Sequence, residues 1–210
     1  MTPLPEDNRI QPVQDDENKG NQLFPVFVKL NNLHLVLIGA GKVGLEKLTA
    51  VLNNSPFTKV TVIAKDIIPE MHALAAEYTG VKIINKSFAE YDLDGADIVM
   101  AATNDNDLNV YIRQAAHDRK LLVNIADKPD LCDFYLGSVV QKGDLKIGIS
   151  TNGKSPTFAK RVRELLEETL PDSLDNVLDN LKEIRDQLKG DFEYKVNKLN
   201  EITSIFKNKK

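Results

Sequence analysis

Between residues 33 and 126 the chain carries five short, almost unbroken apolar runs. They are LHLVLI (33–38), KVTVIA (59–64), VKIIN (81–85), DIVMAAT (97–103) and LLVNIA (121–126). Longer amphipathic stretches separate several of them. Over 42–53, Val43, Leu45, Leu48, Val51 and Leu52 fall at near-helical spacing, and helices are predicted again over 67–78 and 106–119. A strand that is apolar at every position is covered on both faces, and strands that alternate with helices pair in parallel. The pattern therefore predicts an α/β fold with a parallel sheet between two helical layers. Ahead of it, FPVFVKL reads as one more short strand, with Pro25 at its start where a missing N–H does least harm.

The alternation stops near Asp127. DFYLGSVVQKGDLKIGIST predicts two antiparallel strands around the turn Lys142-Gly143-Asp144. A helix follows, with Ser155 as its N-cap, Pro156 at the first helical position and Pro171 ending it. Leu174, Val177, Leu178, Leu181, Ile184 and Leu188 then mark one amphipathic helix. After a break at Gly190, Phe192, Val196, Leu199, Ile202 and Phe206 mark another. Residues 1–21 hold five acids against two bases and few large apolar groups, which predicts a disordered tail. The expected organisation is a tail over 1–21, a sheet domain over 22–127, a hairpin unit over 128–153 and a helical region over 154–210.

Composition excludes some function classes. A net charge of −4 gives no general attraction for nucleic acid, so an anion site has to come from a local basic cluster. The single cysteine, Cys132, forbids an intrachain disulfide and suits a reducing, cytoplasmic setting. No apolar run reaches the ~18 residues of a membrane span, and the first twenty residues lack the apolar core of a signal peptide. His34, His72 and His117 show no metal-ligand spacing, and His34 reads as a structural strand residue.

The chemistry-bearing motif is GAGKVG, 39–44, which has a G-x-G-x-x-G spacing. It follows a predicted strand, opens a predicted helix and lies within β-α-β units, which is the context of a dinucleotide-binding Rossmann turn. Gly39 permits the bend, Gly41 lets the backbone approach a pyrophosphate, and Gly44 lets the helix lie close to the sheet. The N–H groups at the helix start then face the phosphates. At the end of the second strand stand Lys65 and Asp66. The acid suits a ribose hydroxyl and the lysine a 2′-phosphate, so the sequence leans to NAD and leaves NADP open. Ligands of such sheets bind beyond the carboxyl ends of the strands. AATNDND (101–107) and VNIADKPDLCDF (123–134) lie there, which makes Thr103, Asn104, Asn124 and Asp127 candidates to face the nicotinamide or a substrate. Helix capping is the alternative around Asn104, and turn initiation is the alternative for Asp127. A third segment, STNGKSPTFAKRVR (150–163), runs from a glycine loop into a helix start with Lys154, Lys160, Arg161 and Arg163 and no acid among them. It is either a local anion site or a solvated basic face.

These segments together resemble the precorrin-2 dehydrogenase family, the NAD-dependent part of sirohaem synthases and their stand-alone relatives. The resemblance covers about residues 23–171 and is most specific in VNIADKPDLCDF and ISTNGKSPTFAKRVRE. It implies oxidation of precorrin-2 to sirohydrochlorin with NAD as hydride acceptor, and some members also insert ferrous iron. It places the family's central aspartate at Asp127. It places cofactor contacts on the glycine turn with Lys42 and Val43 and on Lys65 and Asp66, where members often carry proline before an acid. It implies a tetrapyrrole with eight carboxylates, for which Asn124, Thr151, Lys154, Ser155, Lys160 and Arg161 are the candidate contacts. It further implies a dimer interface in the region after the Rossmann unit and a helical C-terminal part. No metal site is expected from these residues. The competing readings are a non-enzymatic NAD-binding regulatory domain, which does not account for the STNGKSP loop, and a small-substrate dehydrogenase. The latter would normally place a His, Lys or Tyr beside the nicotinamide.

Overall fold

The computed structural model describes residues 20–172 and 174–204. The predicted tail lies outside the described residues except for its last two, and Phe206 lies outside them as well. Two compact units emerge from the fold, one over 26–137 and the other holding residues 20–25 and the described residues from Ser138 onward.

The first unit is built on β1 (His34–Ala40), β2 (Lys59–Ile67), β3 (Val81–Asn85), β4 (Ile98–Ala101) and β5 (Leu122–Ile125). All neighbours are parallel and the order is β3-β2-β1-β4-β5. The helices are α1 (Lys42–Asn54), α2 (Pro69–Ala76) and α3 (Asn106–Asp118). Strand alternation sorts the apolar side chains to two faces. Leu35, Leu37, Val60, Val62 and Met100 pack with Leu48, Val51, Leu52 and Met71 from α1 and α2. Val36, Ile38, Val99, Ala101, Val123 and Ile125 pack with Ile112, Ala115 and Ala116 of α3. Both faces of β1 are thus sealed, as its unbroken apolar run requires. The order of connection reverses between β1 and β4, which leaves a crevice beyond their carboxyl ends.

Three sequence expectations need correction. FPVFVKL forms no strand: Phe24, Val26, Phe27 and Val28 are exposed and no strand pairs with them. Apolar, β-branched composition makes a segment suited to a sheet, but a strand exists only where a partner edge takes its hydrogen bonds. β2 runs past residue 64 to Ile67, because its register slips. Ile38 pairs with Ile63 but Ala40 pairs with Ile67, so 64–66 bulge beside Gly39. The following helix accordingly starts at Pro69 rather than at 67. His34 is structural as expected. Nδ1 lies 3.0 Å from the Gly95 carbonyl, which can only accept, so Nδ1 carries the proton and Nε2 accepts from the Thr61 hydroxyl at 2.8 Å.

The second unit holds the antiparallel hairpin β6 (Ser138–Lys142) and β7 (Leu145–Ile149), then α4 (Pro156–Thr169), α5 (Leu174–Gln187) and α6 (Phe192–Ile202). The hairpin turn is Gly143-Asp144, with Gly143 at a left-handed φ of 53°. α4 packs on the hairpin and buries Ala159, and Val140 of β6 is fully buried. The Asp175 carboxylate accepts from the Asp144 N–H at 2.8 Å, which pins the start of α5 to the turn. Lys142 and Asp172 pair across 2.5 Å. Asn21 is tied to this unit through a 3.2 Å bond to the Ser150 hydroxyl.

Candidate active site

The glycine turn joins β1 to α1. Gly39 has a φ of 103°, and a Cβ there would stand 2.3 Å from the Ala102 carbonyl oxygen. A Cβ on Gly44 would meet the Gly39 oxygen at 2.2 Å. These two glycines are demanded by the protein's own packing. Gly41 differs: nothing lies within 4 Å of the position its Cβ would take. Gly41 is also the N-cap of α1, and no side chain caps that helix, whereas Asp105, Ser155 and Asp191 cap α3, α4 and α6. Lys42 and Val43, both exposed, form its first turn. Uncapped N–H groups beside an open glycine are what a pyrophosphate needs, so these residues fit the phosphates of a dinucleotide.

At the end of β2, Lys65 and Asp66 sit in the bulge with both side chains exposed. Asn85 of β3 holds the bulge by donating to the carbonyls of Ala64 at 3.2 Å and Lys65 at 2.6 Å. At the end of β4, the Thr103 hydroxyl donates to Asn109 Oδ1 at 2.8 Å, and Asn109 Nδ2 donates back to the Thr103 carbonyl at 3.1 Å. Asn109 is buried, so this pair fixes the loop. Asp105 rather than Asn104 caps α3, accepting from the Leu108 N–H at 3.0 Å. Asn104 is left exposed.

The end of β5 holds the densest network. Asp127 is exposed, at a left-handed φ of 57° in the turn that follows the strand. Asp tolerates that conformation better than most side chains. Asn124 is buried and its amide is engaged on both sides. Oδ1 accepts from Lys47 Nζ at 2.5 Å, and Nδ2 donates to the Phe134 carbonyl at 2.7 Å and lies 3.6 Å from Cys132 Sγ. The Cys132 thiol accepts from the Ile125 N–H at 3.2 Å and shares its proton between the carbonyls of Ile125 and Lys128, at 3.1 and 3.3 Å. Burial pushes the Cys132 thiol above its ordinary pKa, although a bond from the Ile125 backbone and the Lys47 charge oppose the shift. Burial likewise holds the Lys47 ammonium below the ordinary lysine value, against the pull of Cys132, Asp127 and Glu46. Asp133 completes the frame, with its carboxylate 3.0 Å from His117 Nε2 and 2.9 Å from the Val123 N–H it accepts.

Sequence reasoning did not single out Lys47, Asn85, Asn109 or the thiol's role. Only Lys47 carried a readable signal: it lies three residues after Gly44 and four before Val51, on the buried stripe of α1.

In the second unit, Asn152 and Gly153 both adopt left-handed φ, 53° and 74°, and bend the chain into α4. Thr151 Oγ1 accepts from the Ser155 N–H at 3.2 Å, and Ser155 Oγ accepts from the Phe158 N–H at 3.1 Å. Lys154, Lys160 and Arg161 are exposed. The basic stretch meets acids one turn on: Glu164 lies 2.6 Å from Arg161 and 4.0 Å from Lys160, and Glu167 lies 3.7 Å from Arg163. The Arg161 hydrogen bond holds the Glu164 carboxyl below its usual range. The structure thus brings Gly39, Gly41, Lys42, Val43, Gly44, Lys65, Asp66, Thr103, Asn104, Asn124 and Asp127 to the carboxyl ends of strands within one unit. Thr151, Lys154, Ser155, Lys160 and Arg161 belong to the other.

Among the described residues, no group of three or more His, Cys, Asp or Glu is placed to hold a metal ion. No helix among them is long and apolar enough to cross a membrane.

Comparison with known proteins gives a consistent picture. Residues 26–138 match the family described as "Putative NAD(P)-binding", and residues 142–169 match the central family of sirohaem biosynthesis proteins. The chain is 32% identical over 148 residues to a siroheme synthase of Thioalkalivibrio sulfidiphilus, covering 70% of this chain and 30% of that protein. To a siroheme synthase of Psychromonas ingrahamii it is 36% identical over 148 residues, covering 70% and 31%. To one of Psychrobacter it is 33% identical over 170 residues, covering 80% and 34%. The chain spans about a third of the length of these relatives. Among solved structures, SirC, a precorrin-2 dehydrogenase, shares the fold with a TM-score of 0.69 at 23% identity, over 86% of this chain and 89% of that one.

Proposed function

The chain belongs to the NAD(P)-binding family of sirohaem biosynthesis, and on that premise we propose that it oxidises precorrin-2 to sirohydrochlorin with NAD as acceptor. One observation carries the reading. An uncapped helix start behind an open glycine and an exposed carboxylate on a braced turn lie at the same edge of one sheet. The nicotinamide, when bound, supplies the hydride acceptor.

The chain's own residues do the rest. The N–H groups of Lys42, Val43 and Gly44 hold the pyrophosphate, with the helix dipole behind them. Asp66 takes the ribose hydroxyls. Thr103 and Asn104 border the nicotinamide. Dehydrogenation removes one hydride and one proton from the macrocycle. Asp127 accepts that proton, or fixes the pyrrole nitrogen that releases it, and passes it to solvent from its exposed position. Lys154, Lys160 and Arg161, exposed near the start of α4, are cations of the kind that bind carboxylates such as those of a tetrapyrrole. The protein works as a homodimer in the cytoplasm, and ferrous iron is a second candidate substrate of the same site.

The test is the purified chain with precorrin-2 and NAD or NADP, with and without ferrous iron, followed by absorbance. Asp127→Asn is expected to lower kcat by about 10²–10⁴-fold, the usual worth of a general base, with NAD affinity retained. Near-normal turnover by that variant retires Asp127 as the reactive group. An unchanged pigment spectrum with the wild-type protein retires the dehydrogenase.

A further inference from the structure

We propose that Lys47 is a positioning residue of this site: it ties the helix that receives the cofactor to the turn that carries Asp127. The inference rests on the functional reading above and deepens it.

Lys47 lies on α1, five residues beyond the first-turn Lys42, so its backbone moves with the dinucleotide-binding turn. Its side chain crosses to the far end of the sheet and donates to Asn124 Oδ1, 77 residues away in sequence. Asn124 passes the restraint on, donating to the Phe134 carbonyl and lying against Cys132 Sγ. Cys132 in turn holds Ile125 and Lys128, the residues on either side of the turn that contains Asp127. A continuous chain of polar contacts therefore runs from the glycine turn's helix to the carboxylate's turn.

The choice of lysine argues against a purely structural filler. Position 47 is on the buried stripe of α1, where leucine or methionine would pack without desolvating a charge. Instead an ammonium is half-buried there, and its one hydrogen bond among the described residues is to Asn124. Among the described residues no carboxylate lies within ion-pairing distance of it. Asp127 meanwhile occupies a left-handed backbone conformation, which an Asp tolerates and which is kept more firmly when the residues flanking it hold it there. The polar chain supplies that hold, and it fixes the carboxylate relative to the cofactor helix rather than relative to the sheet alone.

The experiment uses the full chain with precorrin-2 and NAD, and compares wild type, Lys47→Met, Asn124→Ala and the double variant. A misplacement of about 1 Å costs on the order of 10²-fold in rate, so Lys47→Met is expected to lose about 10–100-fold in kcat. NAD affinity, read by calorimetry, is expected to stay within about threefold, because Lys47 lies about one turn beyond the first-turn N–H groups and makes none of the pyrophosphate contacts itself. The double variant is expected to be no slower than the slower single variant, since both break one chain. Three results overturn the assignment: kcat within about twofold of wild type, a kcat loss matched by the loss of NAD affinity, or single losses that multiply in the double variant. Where Lys47→Met does not fold, Lys47→Gln is read against the same thresholds. If the wild-type chain leaves precorrin-2 unchanged, the functional reading falls and this assignment with it. If wild type turns over and Lys47→Met matches it, only the assignment falls.

Discussion

Replacing the three motif glycines one at a time by alanine separates what the fold requires from what the cofactor requires. Gly39→Ala places a Cβ 2.3 Å from the Ala102 oxygen at a φ of 103°. The left-handed backbone alone costs about 1–3 kcal/mol for a non-glycine residue, and the overlap with backbone adds about 1–3 kcal/mol as the strands part. Gly44→Ala drives its Cβ to 2.2 Å from the Gly39 oxygen, again against backbone that cannot rotate away. Each kcal/mol is worth roughly 2–4 °C for a chain of this size, so Gly39→Ala should melt at least ~4 °C below wild type and Gly44→Ala, which carries only the overlap, at least ~2 °C below it. Gly41 has an ordinary extended backbone, φ −83° and ψ −168°, and open space around its Cβ. Alanine there should leave stability within about 1 kcal/mol of wild type, since restricting the unfolded chain offsets alanine's poorer fit at an N-cap. Its Cβ would nevertheless stand where a pyrophosphate must approach, so NAD affinity should drop about tenfold or more, ~1.4 kcal/mol. Scanning calorimetry and NAD titration of the three variants decide the matter. A stable Gly39→Ala protein would refute the packing argument. A Gly41→Ala protein that binds NAD as wild type does would remove the pyrophosphate from this turn.

Two further outcomes follow from the braced loops. Because burial raises the pKa of Cys132, the stability it contributes is fully present below about pH 8.5, the ordinary thiol value, and is lost as pH rises through the higher folded value. Urea midpoints measured from pH 7 to 10 should therefore fall more steeply for wild type than for Cys132→Ala, and native Cys132 should react with iodoacetamide more slowly than the unfolded chain does; equal slopes contradict this. Asn109→Ala leaves Thr103 without its buried partner and should cost about 1–3 kcal/mol, whereas Asn104→Ala, at an exposed position, should stay within about 0.5 kcal/mol; denaturant unfolding of both variants gives the comparison.

The sheet domain was legible because its information is local. An unbroken apolar run such as LHLVLI announces a strand with two covered faces, and Gly39, Gly41 and Gly44 announce the turn by their spacing between that run and a helical pattern. The hairpin at Gly143-Asp144, the cap at Ser155 and the first helical residue Pro156 were legible for the same reason. FPVFVKL misled because strand formation depends on a partner, and nothing in seven residues states whether an edge is available. The bulge at 64–66 was hidden because register depends on two strands at once. Of the candidate site, sequence identified which residues reach the carboxyl ends of the strands. It did not show how their polar atoms are employed, since Lys47 and Asn124 are 77 residues apart.

That employment separates residues that brace from residues that are free to act. A buried polar group must be satisfied, and once satisfied within the protein it has little left to offer a ligand. Asn124 is in that position, as is Asn109, whose amide is engaged with Thr103. Asp127, Asn104, Lys65 and Asp66 are the reverse: exposed, at the ends of strands, and attached to turns that other side chains hold still. On these grounds Asn124 is better read as a brace for Asp127 than as a contact for the macrocycle. Asn124→Ala should accordingly affect kcat in step with Lys47→Met and leave the KM for precorrin-2 nearly unchanged, while a direct contact would raise KM instead.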